Sequence, residues 1–499
     1  MTNETQGGGL SRREFGARMG VAGACLAMGR PRASRAGEPG KDHSKPNIIF
    51  LLTDDQRWDA MGCAGNPIIQ TPNMDKLAGS GVRFENAFVT TSICMASRAS
   101  IFTGQYERRH GCTFGTGPLS DESMSQTYPA LLRKAGYRTG FIGKFGVSVR
   151  KARRWFDVWH GFAGQGKYEN TDKQGNYKHL TRIMGDQAVG FIRGCKADQP
   201  FCLSVSFKAP HCQDGDLRQF IYDPAYKDLY RDAEIPVPKT ATAHHFDRLP
   251  EFLKKSEGRK RWKIRFSTPV MHQESVKSYY RLVTGVDAAI GRIRDVLKRR
   301  GLDRNTIIVF TADNGFYLGE RGLAGKWYAH EESIRVPLIV YDPRWAASER
   351  GRTVKEMALN IDIAPTLLEL AGLPVPKTVQ GRSLAGLLAG TCKTWRKDFF
   401  YEHLFERHNI PKSEGVRTQR WKYIRYFEQQ PVYEELYDLV KDPFEEDNLV
   451  ADAGHRATLE TLRKRCDELR DLAKGPPVAS SRTGPGKPAD ARPDAGRRH

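Results

Sequence analysis

The sequence predicts an α/β fold: a large, mixed but mostly parallel sheet flanked by helices, then a small antiparallel sheet with one helix. Three observations carry this. Several short runs are apolar throughout, as in strands buried on both faces, and helical stretches separate them. These runs end in acidic, amide or cationic residues, the pattern of strands whose carboxyl ends border a ligand site. After Leu387 the pattern changes to short strands separated by turns.

In chain order, Asn47-Ile48-Ile49-Phe50-Leu51-Leu52 is the first apolar run, and it ends in Thr53-Asp54-Asp55-Gln56. Tyr137 to Ile142 leads to Gly143-Lys144, and Phe201 to Phe207 leads to Lys208-Ala209-Pro210-His211. Thr306 to Phe310 repeats the first design and ends in Thr311-Ala312-Asp313-Asn314-Gly315. Gly325-Lys326 opens a segment whose last six residues, Val336 to Tyr341, read as another buried strand. Ser275 to Arg300 carries apolar residues at helical spacing and predicts a core-facing helix; Pro365 to Leu370 predicts another. The basic stretch from His211 to Lys263 has little periodicity and reads as a loop-like insertion at the ligand edge. These elements place one domain over 46–387. Residues 388–474 form a second, with strands at Phe399–His403, Arg420–Tyr426 and Glu435–Leu439. A helix follows, with Leu459, Leu462, Cys466, Leu469 and Leu472 on one face.

The 499 residues suffice for a sizeable core, and no apolar run is long enough to span a bilayer. Residues 1–36 read as a twin-arginine export signal: Arg12-Arg13, a mildly apolar stretch from Gly16 to Gly29, then Ser34-Arg35-Ala36. Export through the twin-arginine translocase, to the periplasm or the medium, follows from it. Cys25 lacks a good lipobox, so no lipid anchor is expected there. The Pro-, Gly- and Arg-rich stretch 475–499 reads as a disordered basic tail. Net charge is +21. Residues 1–36 and 474–499 each hold six basic and two acidic residues, which leaves +13 for the rest. That balance suits an anionic partner such as a sulfated polymer, and no nucleic-acid motif accompanies it. Nine cysteines without Cys-x-x-Cys predict neither a structural zinc site nor a disulfide scaffold.

The stretch Thr91 to Gly104 organises the candidate site. It predicts a short helix with Thr91-Ser92 able to cap its start and Gly104 able to stop it. Cys94 falls in the first turn, and Arg98 shares its face. Alone, these two are a buried cysteine and a salt-bridged arginine. Asp54, Asp55, Asp313 and Asn314, at the ends of two strands, either cap the elements that follow or form an all-oxygen set. Such a set suits Ca²⁺ or Mg²⁺ better than zinc.

Taken together, these pieces resemble the type I sulfatases of the alkaline phosphatase superfamily, across roughly 46–450. The matching stretches are Asn47–Gln56, Cys94-x-Ala-x-Arg98 with Thr103-Gly104, Gly143-Lys144, Pro210-His211, Thr311–Gly315, Gly325-Lys326 and Glu331-x-x-x-Arg335-Val-Pro. Glu435–Leu439 with Asp442-Pro443 and Asn448-Leu449 matches the family's C-terminal sheet. The resemblance implies an arylsulfatase-like sulfuric ester hydrolase. Its Cys94 would be oxidised by a formylglycine-generating maturase, and the hydrated aldehyde would attack sulfur. It implies Asp54, Asp55, Asp313 and Asn314 as ligands of one divalent cation, usually calcium, together with residue 94. Arg98 and Lys144 would stabilise the aldehyde hydrate, and His211 and Lys326 would hold sulfate and assist the leaving oxygen. Asp313 would take the attacking hydroxyl's proton.

The chain departs from the family in two places. Gly146 stands where the family often has a histidine thought to help eliminate sulfate, with His110 or His330 as substitutes to test; Ala96 replaces the commoner proline. Two other activities fit the same residues: a phosphate or phosphonate monoester hydrolase, and an inactive relative that binds sulfated glycans. Export, the basic core and the aromatic, Gly-rich loop Trp155–Tyr168 point to a sulfated carbohydrate as substrate.

Overall fold

Residue register explains where the site forms. In the computed structural model, which describes residues 45–147, 152–196, 198–405 and 409–475, the axis of the fold is β1 (Asn47–Asp54), buried at every position. The expected export signal, Cys25 and the tail beyond 475 lie outside the described residues. The main sheet adds β2 (Val82–Phe84), β3 (Arg138–Lys144), β4 (Val158–Phe162), β5 (Phe201–Pro210), β6 (Thr306–Ala312), β7 (Leu338–Tyr341) and β8 (Arg352–Val354). Their order is β8-β2-β7-β6-β1-β5-β3-β4, and only β7 runs antiparallel to its neighbours. Asn47 fixes the register at the opposite end from the site: its amide donates to Thr306 Oγ1 (3.3 Å) and accepts from the Phe201 N–H (3.1 Å). From there Ile48 lies level with Cys202 and Ile307, Thr53 with Ala312, and Asp54 with Pro210. The polar strand ends therefore emerge together.

Alternate side chains of β1 feed two cores. Ile48, Phe50 and Leu52 pack with α1 (Cys94–Thr103) and α2 (Ile363–Leu370). Ile49 and Leu51 pack with α3 (Leu180–Arg193) and α4 (Pro269–Arg299). The helix expected from Ser275 begins six residues earlier, because the Thr268 side chain accepts from the Met271 N–H and Pro269 fits the first turn. The segment read as a loop-like insertion contains three short helices, Ala243–Asp247, Glu251–Lys254 and Glu257–Arg265. They lack an apolar stripe and are held by arginine contacts instead, so periodicity missed them.

The second sheet is a meander of β9 (Asp398–His403), β10 (Ser413–Thr418), β11 (Trp421–Tyr426) and β12 (Tyr433–Asp438). β10, Ser-Glu-Gly-Val-Arg-Thr, was absent from the expected set because its charged residues mask it. A final helix, Arg456–Lys474, buries Leu459, Leu462 and Cys466 against Phe400, Val416, Tyr423 and Leu436. Each leucine contributes about 1.5–3 kcal/mol by burial. Leu472, expected on that face, is 66% exposed, and Ala473 is buried instead. Among the described residues no helix is long and apolar enough to cross a membrane.

The small sheet is tied to the main body by Phe88 stacking on Phe399 (5.0 Å) and by Arg108 donating to Glu402 (2.9 Å). Nearby, Glu107 accepts from Thr91 Oγ1 (2.6 Å). Burial and mutual repulsion push Glu107 up to about 8; burial, against Arg108, pushes Glu402 up to about 7. A carboxyl whose pKa rises on folding holds its proton more tightly in the native state, so its contribution is lost as pH rises from about 4.5 through the folded value. Wild-type stability should therefore fall from about pH 4.5 to about pH 8, by at most about 1.4 kcal/mol per pH unit for each group. Urea unfolding of the Glu107→Gln protein should show a shallower slope over that range. An identical slope would mean that Glu107 is ionised throughout.

Candidate active site

The nine residues singled out from the sequence converge at the carboxyl ends of β1, β3, β5 and β6. Asp54 is the last residue of β1, and Asp55 follows it in a left-handed conformation, φ +67°. Strand geometry would send two successive side chains to opposite faces. The turn at Asp55 brings both carboxylates to one place, at a backbone cost of order 1–3 kcal/mol. Its N–H donates to Asp313 Oδ1 (3.2 Å), and its carbonyl accepts from the Tyr279 hydroxyl (2.8 Å).

Cys94 is the first residue of α1 and is buried. The expected Thr91-Ser92 cap does not form: Ile93 occupies the cap position, Thr91 donates to Glu107, and Ser92 donates to the Ser333 carbonyl (2.8 Å). Gly104 ends the helix as expected, with φ +68° and its N–H on the Ser100 carbonyl (2.8 Å). The Cys94 thiol donates to Asp54 Oδ1 (3.4 Å) and receives Lys326 Nζ (2.9 Å). Arg98, wholly buried, donates to Asp313 Oδ2 (2.8 Å), Asp54 Oδ2 (3.2 Å), the Lys144 carbonyl (2.5 Å) and Ser206 Oγ. Lys144 donates to Asp54 Oδ2 (2.5 Å) and Gln165 Oε1 (2.7 Å). Asp55 Oδ1 accepts from Lys326 and from the Asn314 amide (2.6 Å).

Three buried carboxylates thus face three buried cations. Burial works against the Asp54 carboxylate, but Lys144, His211, Arg98 and Lys326 outweigh it and hold its pKa well below the usual range. Asp55 goes the other way: burial, against Lys326, pushes it up to about 7, and Asp54 and Asp313 add to the rise. Burial and Asp54 also raise Asp313, against Arg98. The Cys94 thiol is pushed up to about 12 by burial and by Asp54, despite Lys144 and Lys326. His211 is held neutral by burial and by Lys326.

The donor set fits a hard cation. The His211 Nδ1–H donates to the Cys212 carbonyl (2.5 Å), so Nε2 turns a lone pair toward Asp55 Oδ2, 3.6 Å away. Asp55 Oδ2 and Asn314 Oδ1 are buried without a hydrogen-bond partner. Ligand atoms of Asp54, Asp55, Cys94 and His211 all lie within 4.8 Å of one another. Opposed lone pairs and orphaned oxygens at such a spacing call for positive charge between them.

Neither histidine considered as a substitute is available to this cluster. His110 bonds Ser100 Oγ (3.1 Å) and the Cys112 N–H (3.0 Å), and burial pushes it down to about 3. His330 bonds the Tyr317 hydroxyl (2.7 Å) and faces Glu435 (3.4 Å). The sequence reading missed Gln165 and Ser206. Lys208 donates to the Gly166 carbonyl (2.8 Å) beneath the Tyr168 ring, fixing the loop that carries Gln165. Ser204 and Ser206, which interrupt the apolar run of β5, were the available signal: one accepts from Arg98, and the other pairs with the Tyr128 hydroxyl (2.8 Å).

A family model described as Sulfatase matches residues 46–373, and one described as N-sulphoglucosamine sulphohydrolase, C-terminal, matches 319–472. The chain is 31% identical to an N-acetylglucosamine-6-O-sulfatase of Bacteroides thetaiotaomicron, covering 89% of each chain. A solved structure described as a complex with its substrate D-glucosamine-2-N,6-O-disulfate superposes with a TM-score of 0.72. It is 28% identical and covers 86% of this chain and 98% of that one. A phosphonate monoester hydrolase from Silicibacter pomeroyi has a TM-score of 0.72 at 22% identity, covering 86% and 96%, which shows the shared fold alone.

Gly146 adopts φ +81°, and a Cβ there would lie 3.0 Å from Arg98 Cδ. This loop therefore has no room for a side chain without strain beside Arg98. Gly146→Ala should cost about 1–2 kcal/mol in urea unfolding, the left-handed penalty for a residue with a Cβ. A cost below about 0.3 kcal/mol would show that the loop moves freely to accept it.

Proposed function

The chain belongs to the sulfatase family, and from that premise we propose that it hydrolyses the sulfate ester of a carbohydrate with a formylglycine made from Cys94. The observation that carries the proposal is the balanced buried cluster. Arg98, Lys144 and Lys326 converge with Asp54, Asp55 and Asp313 on the side chain that opens α1.

A sulfate ester is anionic, so an oxygen nucleophile reaches sulfur only after that charge is neutralised. Lys326 holds an ammonium group against residue 94, and Lys144 holds another on Asp54, for this purpose. Asp54, Asp55, Asp313 and Asn314 would hold one divalent cation, calcium by its preference for oxygen donors, and that ion would supply further charge neutralisation. The hydrated aldehyde of residue 94 carries two hydroxyls. One attacks sulfur as Asp313 takes its proton, the S–O bond to the sugar breaks, and Lys326 protonates the departing alcohol, since neutral His211 has only a lone pair on Nε2. Loss of the second hydroxyl's proton then re-forms the aldehyde and expels sulfate. Arg98, bonded to Asp313 and Asp54, keeps both carboxylates oriented throughout.

As a thiol, Cys94 is a poor nucleophile at neutral pH, because its pKa near 12 leaves it protonated. That fits a precursor residue. Maturation before export through the twin-arginine translocase, to the periplasm or beyond, completes the reading.

Three measurements test it. The tryptic peptide Phe84–Arg98, from protein made with a maturase, should carry an aldehyde at residue 94 in place of the thiol. Unmodified cysteine from that host would overturn the mechanism. Turnover of 4-nitrophenyl sulfate should exceed that of the corresponding phenylphosphonate ester, and the reverse preference would sink the sulfatase assignment. Lys144→Ala should lower kcat by about 10²–10³-fold, the effect of removing one preorganised charge donor.

A further inference from the structure

The alcohol released from sulfur must leave past His211 and Lys326, so whatever bridges those two loops meets the sugar. One element does. The helix Glu257–Arg265 spans them: its Gly258 N–H donates to the hydroxyl of Tyr328, two residues beyond Lys326 (3.3 Å). At its other end Arg265 donates to Cys212 Sγ (2.9 Å), beside His211. Between these ties Arg261 lies 5.3 Å from the Trp327 ring and donates through Nη1 to Asp214 Oδ1 (2.8 Å).

This pair is only half used. Arg261 Nε is occupied by Glu257 (3.0 Å), but Nη2 has no hydrogen-bond partner among the described residues. Asp214 Oδ1 takes Arg261, Arg265 (3.0 Å) and the Cys212 thiol (3.3 Å), while Oδ2 takes none. Both side chains reach solvent, at 19% and 43% exposure, although Arg265 beneath them is fully buried. The two acids and two arginines cancel in charge, so the surface does not select a second anion. It offers one fixed donor edge beside one fixed acceptor, the arrangement that a pair of sugar hydroxyls satisfies by donating to the carboxylate and accepting from the guanidinium.

We infer that Arg261 and Asp214 form a hydroxyl-binding subsite for the sugar that carries the scissile sulfate. This rests on the sulfated-carbohydrate reading above. Trp327, φ +87°, with its carbonyl held by the Tyr401 hydroxyl (2.7 Å), gives Arg261 a rigid backing.

Arg261→Met removes the guanidinium that lies over Trp327 and leaves Asp214 anchored by Arg265. The probes are hexoses and hexosamines bearing one sulfate, compared with 4-nitrophenyl sulfate, which has no hydroxyls. For the best sugar sulfate of the panel, KM should rise at least about tenfold with kcat within about twofold, while both constants for the aryl sulfate stay within about twofold. Equal losses on both substrates would assign Arg261 a structural role, and no loss on the sugar would also overturn the inference. Calorimetric binding of the same sugar to Cys94→Ala protein, with and without Arg261→Met, separates the two readings. Failure to hydrolyse 4-nitrophenyl sulfate counts against the sulfatase mechanism, whereas unchanged sugar affinity, or no affinity for any sugar of the panel, counts against this subsite.

Discussion

The carboxylate of Asp54 is the interaction on which the rest depends. It sits at the end of the central strand with no exposure to water, and it is stable there only because Lys144, Arg98 and Lys326 surround it. Those cations come from β3, α1 and the segment before β7, so none of these elements can shift without uncovering a buried charge. Removing one partner of such a pair costs about 3–5 kcal/mol, comparable with a large part of a domain's whole stability. The network is thus a constraint on the fold as well as a site. It fixes how far β1, β3 and β6 extend and where α1 begins.

The same constraint explains the two left-handed backbones beside the site. A strand delivers one side chain per face every two residues, yet the cluster needs Asp54 and Asp55 together. The positive φ of Asp55 resolves this, and Asp313, Tyr279 and Lys326 hold it in place. Trp327 similarly follows Lys326 out of a two-stranded ribbon. It is pinned by Tyr401, so docking of the second sheet bears on the aim of a site lysine. The small sheet is thereby coupled to the chemistry without supplying a residue to it.

Much of this was legible in the sequence. Continuous apolar runs ending in Asp-Asp, Gly-Lys, Pro-His and Asp-Asn marked both the parallel sheet and the edge where its ligands gather, because burial on both faces leaves only the strand ends for polar residues. What was not legible follows from interactions that leave no periodic trace. Thr91 and Ser92 look like helix caps by type, but buried acceptors elsewhere claim their hydroxyls. The helix Glu257–Arg265 reads as loop because arginine stacking and ion pairs hold it. Gln165 belongs to a glycine-rich loop held through Gly166 by Lys208, 42 residues further along the chain.

The state of Cys94 shows why charge placement, rather than the cysteine itself, defines the chemistry. A thiol at a helix start beside a lysine would ordinarily ionise easily. Here Asp54 stands 3.4 Å away, and burial removes the water that would screen it, so the thiol keeps its proton. Any group at this position that must carry negative charge needs the carboxylates compensated first. The unpartnered oxygens of Asp55 and Asn314 mark where that compensation belongs. On the proposed mechanism, a nucleophile made from residue 94 would become competent only once positive charge occupied the space between those oxygens. Charge in that space and activity at residue 94 would then be one requirement, set by the same three buried aspartates.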